Sequence, residues 1–216
     1  MKQGKIKVAL IGGTGKAGRY LVKQLISEGY SIRVLVRNQE RLDIKHSAID
    51  KIVLGDVSQP ECIESLIHGC KAVISTLGLG DPPSQPTIFS LAAKNIIKAM
   101  NQAAISRYIV ITGLNVDTRA DKKGAVTKSA TEWMYTNYPR STRDKQLEYE
   151  LLLESNLDWT LVRLPFIEET DIKKAISVST SDCPGDRISA TSLAVFLREQ
   201  LNSTAYIKQS PFVSNA

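Results

Sequence analysis

The chain has 216 residues, enough for one sizeable core and too few for a comfortable pair of domains. A hydrophobic share of 43% with 23% charged residues argues against disorder, no apolar run reaches the ~18 residues that cross a bilayer, and a dispersed net charge of +6 is too mild to imply a nucleic-acid partner. Cys62, Cys70 and Cys183 are odd in number and lack C-x-x-C spacing, which argues against a disulfide framework or a zinc site and points to a reducing, cytoplasmic setting.

The start, Met1-Lys2-Gln3-Gly4-Lys5, runs straight into an apolar segment and does not read as a signal peptide. Residues 6–11 read as a buried strand, 17–28 as an amphipathic helix stopped by Gly29, and 31–36 and 51–54 as two further strands. A helix over 60–67 precedes a fourth strand at 71–75. Pro82, Pro83 and Pro86 mark a rigid loop, then a strong helix covers 87–103 and a fifth strand 107–111. The polar stretch 115–128 reads as a mobile loop. A helix follows over 141–154, then a sixth strand over 158–163 stopped by Pro165. The tail holds a strand near 176–178, a helix over 191–201 and a last strand near 212–213. This alternation predicts a Rossmann-type, doubly wound parallel α/β sheet with helices on both faces. It forms one dinucleotide-binding domain over 1–216, whose tail, from about 165, makes a small C-terminal lobe completing the substrate side.

Between the first strand and helix lies Gly12-Gly13-Thr14-Gly15-Lys16-Ala17-Gly18. It satisfies both G-x-G-x-x-G and G-x-x-G-x-x-G, and its position between strand and helix makes the signal specific for a dinucleotide. Gly12 or Gly13 permits the tight turn, Gly15 lets backbone amides approach the pyrophosphate, and Gly18 allows close helix packing. The helix dipole then faces the phosphates. Where an NAD site carries an acid, at the end of the second strand, this chain has Arg37 followed by Asn38. A guanidinium suits a 2′-phosphate, so NADP(H) is the expected cofactor, with Lys16 and Arg41 as helpers. Asp56, followed by Val57, is placed beside the adenine, either bonding it or capping the next helix. Thr76-Leu77-Gly78 is expected to pass under the ribose and pyrophosphate.

These segments, with Val34-Leu35-Val36-Arg37-Asn38, Gly55-Asp56-Val57, the run 92–100, the run 153–160 and Arg187-Ile188-Ser189, resemble the atypical short-chain dehydrogenases of the biliverdin reductase B/flavin reductase type, close to the NmrA-like proteins. The resemblance runs over nearly the whole chain. It implies a nicotinamide near Thr112-Gly113, Lys145 and Leu164-Pro165-Phe166-Ile167, under an open substrate site. It also implies a flavin, a quinone, a tetrapyrrole or a related planar compound as acceptor, although other relatives only bind NADP and report its redox state.

Short-chain dehydrogenases use Tyr-x-x-x-Lys, the tyrosine as proton donor and the lysine to lower its pKa. Here Lys145 fits the lysine place, and Ser141 stands where the tyrosine belongs. Tyr138 and Tyr135 are at the wrong spacing, and His46 and His68 read as surface residues. Lys145 and Thr112 are therefore the candidate catalytic residues. Phe166 is a candidate packing surface for acceptor or nicotinamide, and Trp133, Tyr135 and Tyr138 are expected near the mouth. Two readings stay open: an NADPH-dependent reductase of a planar acceptor, monomeric or weakly oligomeric, and a non-catalytic NADP(H) sensor. An epimerase or dehydratase is the weaker third.

Overall fold

The strand β1 (Lys7–Ile11) is buried on both faces: Val8 and Leu10 join one hydrophobic cluster, and Ala9 and Ile11 join the other. That is the period-two signature of a strand inside a covered sheet. The computed structural model describes residues 6–80 and 83–216. The expected reading of residues 1–5 and Pro82 of the proline loop lie outside the described residues.

From β1 the chain enters α1 (Gly18–Ser27), β2 (Ser31–Val36), β3 (Ile49–Leu54), α2 (Pro60–Ile67) and β4 (Ala72–Ser75). It continues through α3 (Ile88–Gln102), β5 (Arg107–Gly113), α4 (Ala125–Asn137), α5 (Pro139–Glu154) and β6 (Asp158–Leu164). The tail adds β7 (Phe166–Glu168), β8 (Ile176–Ser179), β9 (Arg187–Ser189), α6 (Ala190–Glu199) and β10 (Phe212–Asn215). The main sheet has the order β3-β2-β1-β4-β5-β6-β10-β8, parallel throughout except for β8, which runs antiparallel to β10. Strand order reverses between β1 and β4, and this switch point opens a crevice at their carboxyl ends.

One face is covered by α1 and α6, through Leu21, Leu25, Leu193 and Phe196; the other by α2, α3 and α5, through Leu66, Phe89, Ile96 and Leu152. Each such side chain, fully buried, contributes roughly 1.5–3 kcal/mol of transfer free energy. In the tail, β10 and β8 extend the main sheet beyond β6, and β7 pairs with β9 in a separate two-stranded sheet.

The expected mobile loop over 115–128 is corrected by the structure. Residues from Ala125 onward form α4, and the preceding segment is tied down by charge. Arg163 of β6 is fully buried; its Nη1 donates to both Asp121 carboxylate oxygens, at 2.7 and 2.8 Å, and its Nε to the Ser210 carbonyl at 2.8 Å. Its guanidinium also lies 3.5 Å from the centroid of the Phe212 ring. Lys123 completes the network, with Nζ 2.7 Å from Asp117 Oδ1. A buried pair of this kind adds little net stability, but removing one partner strands the other charge, so the segment has one strongly preferred position.

Candidate functional site

The turn from β1 into α1 divides its glycines by task. Gly12 takes the left-handed φ of +77°, and a Cβ there would lie 2.5 Å from the Thr76 carbonyl oxygen. A Cβ on Gly18 would collide with the Gly12 carbonyl oxygen, and one on Gly13 would sit 2.9 Å from Val34 Cγ1. These two therefore pack inward and leave the ligand surface to Gly12, Thr14, Gly15, Lys16 and Ala17, which line a cavity of about 720 Å³. The turn closes with Gly15 N donating to the Gly12 carbonyl at 3.0 Å. Helix α1 begins here without a side-chain cap on its first amides, as an anion site at a helix N-terminus requires.

One end of the cavity is cationic. Arg37, just past β2, donates from Nη1 to Ser84 Oγ at 3.1 Å, and both line the wall. Asn38 Oδ1 accepts from Glu40 N at 2.9 Å and caps a short 3₁₀ turn, Gln39–Arg41, which brings Arg41 to the same wall. Asp56 does two things: it lines the cavity beside Val57, and its Oδ1 accepts from Ser58 N at 2.9 Å. In the middle, Thr76 Oγ1 donates to the carbonyl region of Ile11 and Gly12, at 3.0 and 3.1 Å, so this hydroxyl ties β4 to β1. Leu77 and Gly78 continue the floor.

The far end is built by β5, β6 and α5, which present Thr112, Gly113, Leu164, Pro165, Ile167 and Lys145. Thr112 Oγ1 is buried with no hydrogen-bond partner. An uncapped helix start, a glycine turn lining the cavity and an orphaned buried hydroxyl together fit an elongated phosphate-bearing ligand.

Phe166 departs from expectation. It is 67% exposed and absent from the cavity wall. Strand β7 alternates, so with Ile167 directed to the cavity Phe166 lies on the opposite side. Among the wall residues that the sequence reading did not single out are Ser84, Arg19, Leu79 and Glu169. Glu169 forms ion pairs with Lys16 Nζ, at 3.5 Å, and with Arg19, bringing an acid from beyond β7 to the glycine turn.

Residues 12–204 match the model of a family described as NAD(P)H-binding. The chain belongs to this NAD(P)H-binding family. Photosystem II assembly factor Ycf39 of Cyanophora paradoxa is 29% identical over 161 residues, 74% of this chain and 45% of that protein. Oxidoreductase ptaF of Pestalotiopsis fici is 22% identical over 210 residues, 91% of this chain and 79% of that one. The chain thus spans less than half the length of the Ycf39 protein it matches. Among solved structures, a short-chain dehydrogenase/reductase of Veillonella parvula in complex with NADP superposes with a TM-score of 0.78 at 16% identity, covering 97% of this chain and 94% of its own. ChuY, an anaerobilin reductase of Escherichia coli O157:H7, gives 0.77 at 19% identity, with 97% of both chains covered.

In this NAD(P)H-binding chain a large electrostatic perturbation lies behind Lys145. Glu148, one turn further along α5, is 2% exposed and its Oε2 has no partner. Burial, set against Lys145 and reinforced by Asp144, pushes its carboxyl up to about 8. Burial also pushes the Lys145 ammonium down, with Glu148 opposing. Lys145 is only half-buried, so water at the cavity wall moderates its shift. Its Nζ lies 4.8 Å from the centroid of the Phe89 ring. Ser141 occupies the tyrosine place with its hydroxyl donating to the Tyr138 carbonyl at 3.3 Å, and no tyrosine lines the large cavity among the described residues.

Proposed function

We infer that this chain is an NADPH-dependent reductase of a flavin, quinone or similar planar acceptor. The single observation that carries the reading is one cavity with Arg37 and Arg41 at one end and Lys145 beside Thr112 at the other. Arg37, Arg41 and Ser84 suit a 2′-phosphate, the glycine turn suits the pyrophosphate, and the Thr112–Lys145 end suits the nicotinamide. When bound, NADPH supplies a hydride at that end. The chain's own part is to hold and orient, and to offer the Lys145 ammonium to an oxygen that gains negative charge. Such acceptors make fewer demands for a positioned tyrosine than an aliphatic ketone does. The reading sets the protein in the cytoplasm as a monomer or weak homo-oligomer.

A second reading, an NADP(H) sensor without turnover, is favoured by one observation: the hydroxyl in the tyrosine place, Ser141, is committed to a backbone carbonyl. The similarity to proteins named as assembly factors points the same way. NADPH oxidation followed with FMN, riboflavin and small quinones separates the two. Turnover well above background is the expected result; tight NADP(H) binding with no turnover on any of these would replace the reductase with the sensor.

A further inference from the structure

Beside the cofactor cavity lies a smaller one of about 240 Å³, lined by Leu79, Phe89, Met134, Tyr138, Ser141, Thr142 and Lys145. Leu79 and Lys145 belong to the walls of both cavities. The smaller cavity therefore adjoins the larger at its Lys145 end, where the nicotinamide is placed in the reading above. Its chemistry is uneven. Leu79, Phe89, Met134 and the Tyr138 ring are apolar or polarisable, suited to the faces and edges of a conjugated ring. The two alcohols are already spent on the backbone, Ser141 Oγ donating to the Tyr138 carbonyl at 3.3 Å and Thr142 Oγ1 to the Met134 carbonyl at 3.1 Å. The Lys145 ammonium makes no hydrogen bond or ion pair among the described residues, and its Nζ rests over the Phe89 ring at 4.8 Å. It is thus the one cationic group on the wall of an otherwise apolar slot.

We propose that this second cavity is the acceptor subsite and takes a one- or two-ring conjugated carbonyl compound of the quinone class, its ring between Phe89, Met134 and Tyr138 and an oxygen toward Lys145. The proposal rests on the reductase reading and narrows it. At about 240 Å³ the cavity falls below the usual ~300–1,000 Å³ of drug-sized sites, so it suits a small ring system and not a three-ring flavin or a tetrapyrrole. Both quinone oxygens are acceptors, and Lys145 is the donor at hand.

The test is a binding measurement. Only two tryptophans are present, and Trp159 is buried in the core, whereas Trp133 is 55% exposed with its ring 5.7 Å from that of Tyr138. Menadione is titrated into protein saturated with NADP+, following tryptophan fluorescence, alongside FMN. Saturable quenching by menadione, absent with FMN and lost in Trp133→Phe while calorimetric menadione binding persists, is expected. Ser141→Leu, which fills the cavity, is expected to weaken menadione about tenfold or more and leave NADP+ affinity unchanged. Met134→Phe fills the same space from the exposed helix α4 and serves if Ser141→Leu does not fold. Menadione binding that survives both fillings, or that NADP+ displaces, overturns the assignment. FMN binding that either filling abolishes overturns the size argument. Failure of NADP+ itself to bind overturns the reductase reading instead, and menadione without cofactor then judges the subsite by the same variants.

Discussion

Asp144 of α5 caps α3 through Ser90: Ser90 Oγ donates to Asp144 Oδ1 at 2.5 Å, while Phe89 N and Ser90 N donate to Oδ2 at 2.8 and 3.1 Å. Helix α3 lacks a side-chain cap of its own at Thr87, so a carboxylate from another helix satisfies its first amides. The cap fixes Phe89, and Phe89 lies under the neighbouring Lys145. Removing it exposes three buried donors to loss of a charged acceptor. Asp144→Ala is expected to lower stability by about 2–3 kcal/mol, read as a fall in urea midpoint at constant slope. Asp144→Asn keeps one acceptor oxygen and is expected to lose less. Equal losses would mean that the packing of the side chain, not its hydrogen bonds, matters.

Arg37 is the residue on which the choice of cofactor turns. Its guanidinium is steadied by Ser84 Oγ at 3.1 Å on the cavity wall. Arg37→Ala is expected to weaken NADP+ by about 10- to 100-fold, the range of a charge-assisted contact, and to change NAD+ affinity less than about twofold. Calorimetric titration with both nucleotides checks this. Parallel loss of both would mean that Arg37 supports the wall and does not read the 2′-phosphate.

Glu169 places a negative charge against Lys16 and Arg19 at the start of α1. A pyrophosphate on the glycine turn would compete with it for the same cations. Glu169→Gln is expected to tighten NADP+ binding about three- to fivefold at low salt, with the difference shrinking at ~1 M salt as screening shortens the reach of the charge. Weaker binding in the variant would assign Glu169 the opposite role, that of holding Lys16 and Arg19 in place for the phosphates.

The legible parts of this molecule were local ones. The apolar runs of β1, β2 and β4 announce strands covered on both sides, and the glycine turn with Arg37 lies within one βαβ unit. Helix α4 escaped because its apolar period is missing: its buried positions are Thr127 and Thr131, while Val126 and Trp133 are exposed. Strands β7 and β9 have three residues each, too few for alternation to be read. Glu169 and Arg19 are 150 residues apart, and Asp144 and Ser90 are 54 apart, so neither pair leaves a mark in local sequence. Phe166 was grouped with Ile167 at the nicotinamide end, but neighbours in a strand face opposite sides, so of the two only Ile167 lines the cavity.

Glu148 makes stability depend on pH in a definite direction. Its folded-state carboxyl is pushed up from 4.5 to about 8, chiefly by burial, against Lys145 and with Asp144 adding to the shift. Below about 4.5 the carboxyl is protonated in both folded and unfolded chains. Between there and about 8 the unfolded chain has released its proton and the folded chain keeps it. The folded state then binds more protons, so this group's contribution to stability falls as pH rises through that window and levels off above it. The lowered Lys145 acts in the opposite sense: at pH below 10.5 and above its lowered folded value its contribution rises with pH. Glu148→Gln removes the first titration and preserves the shape of the side chain. Relative to the parent, the variant is expected to gain on the order of 3 kcal/mol between pH 5 and pH 8, read from urea unfolding at the two pH values. Parallel stability curves over that interval would show that the Glu148 carboxyl titrates near its ordinary value, with water reaching it past Lys145.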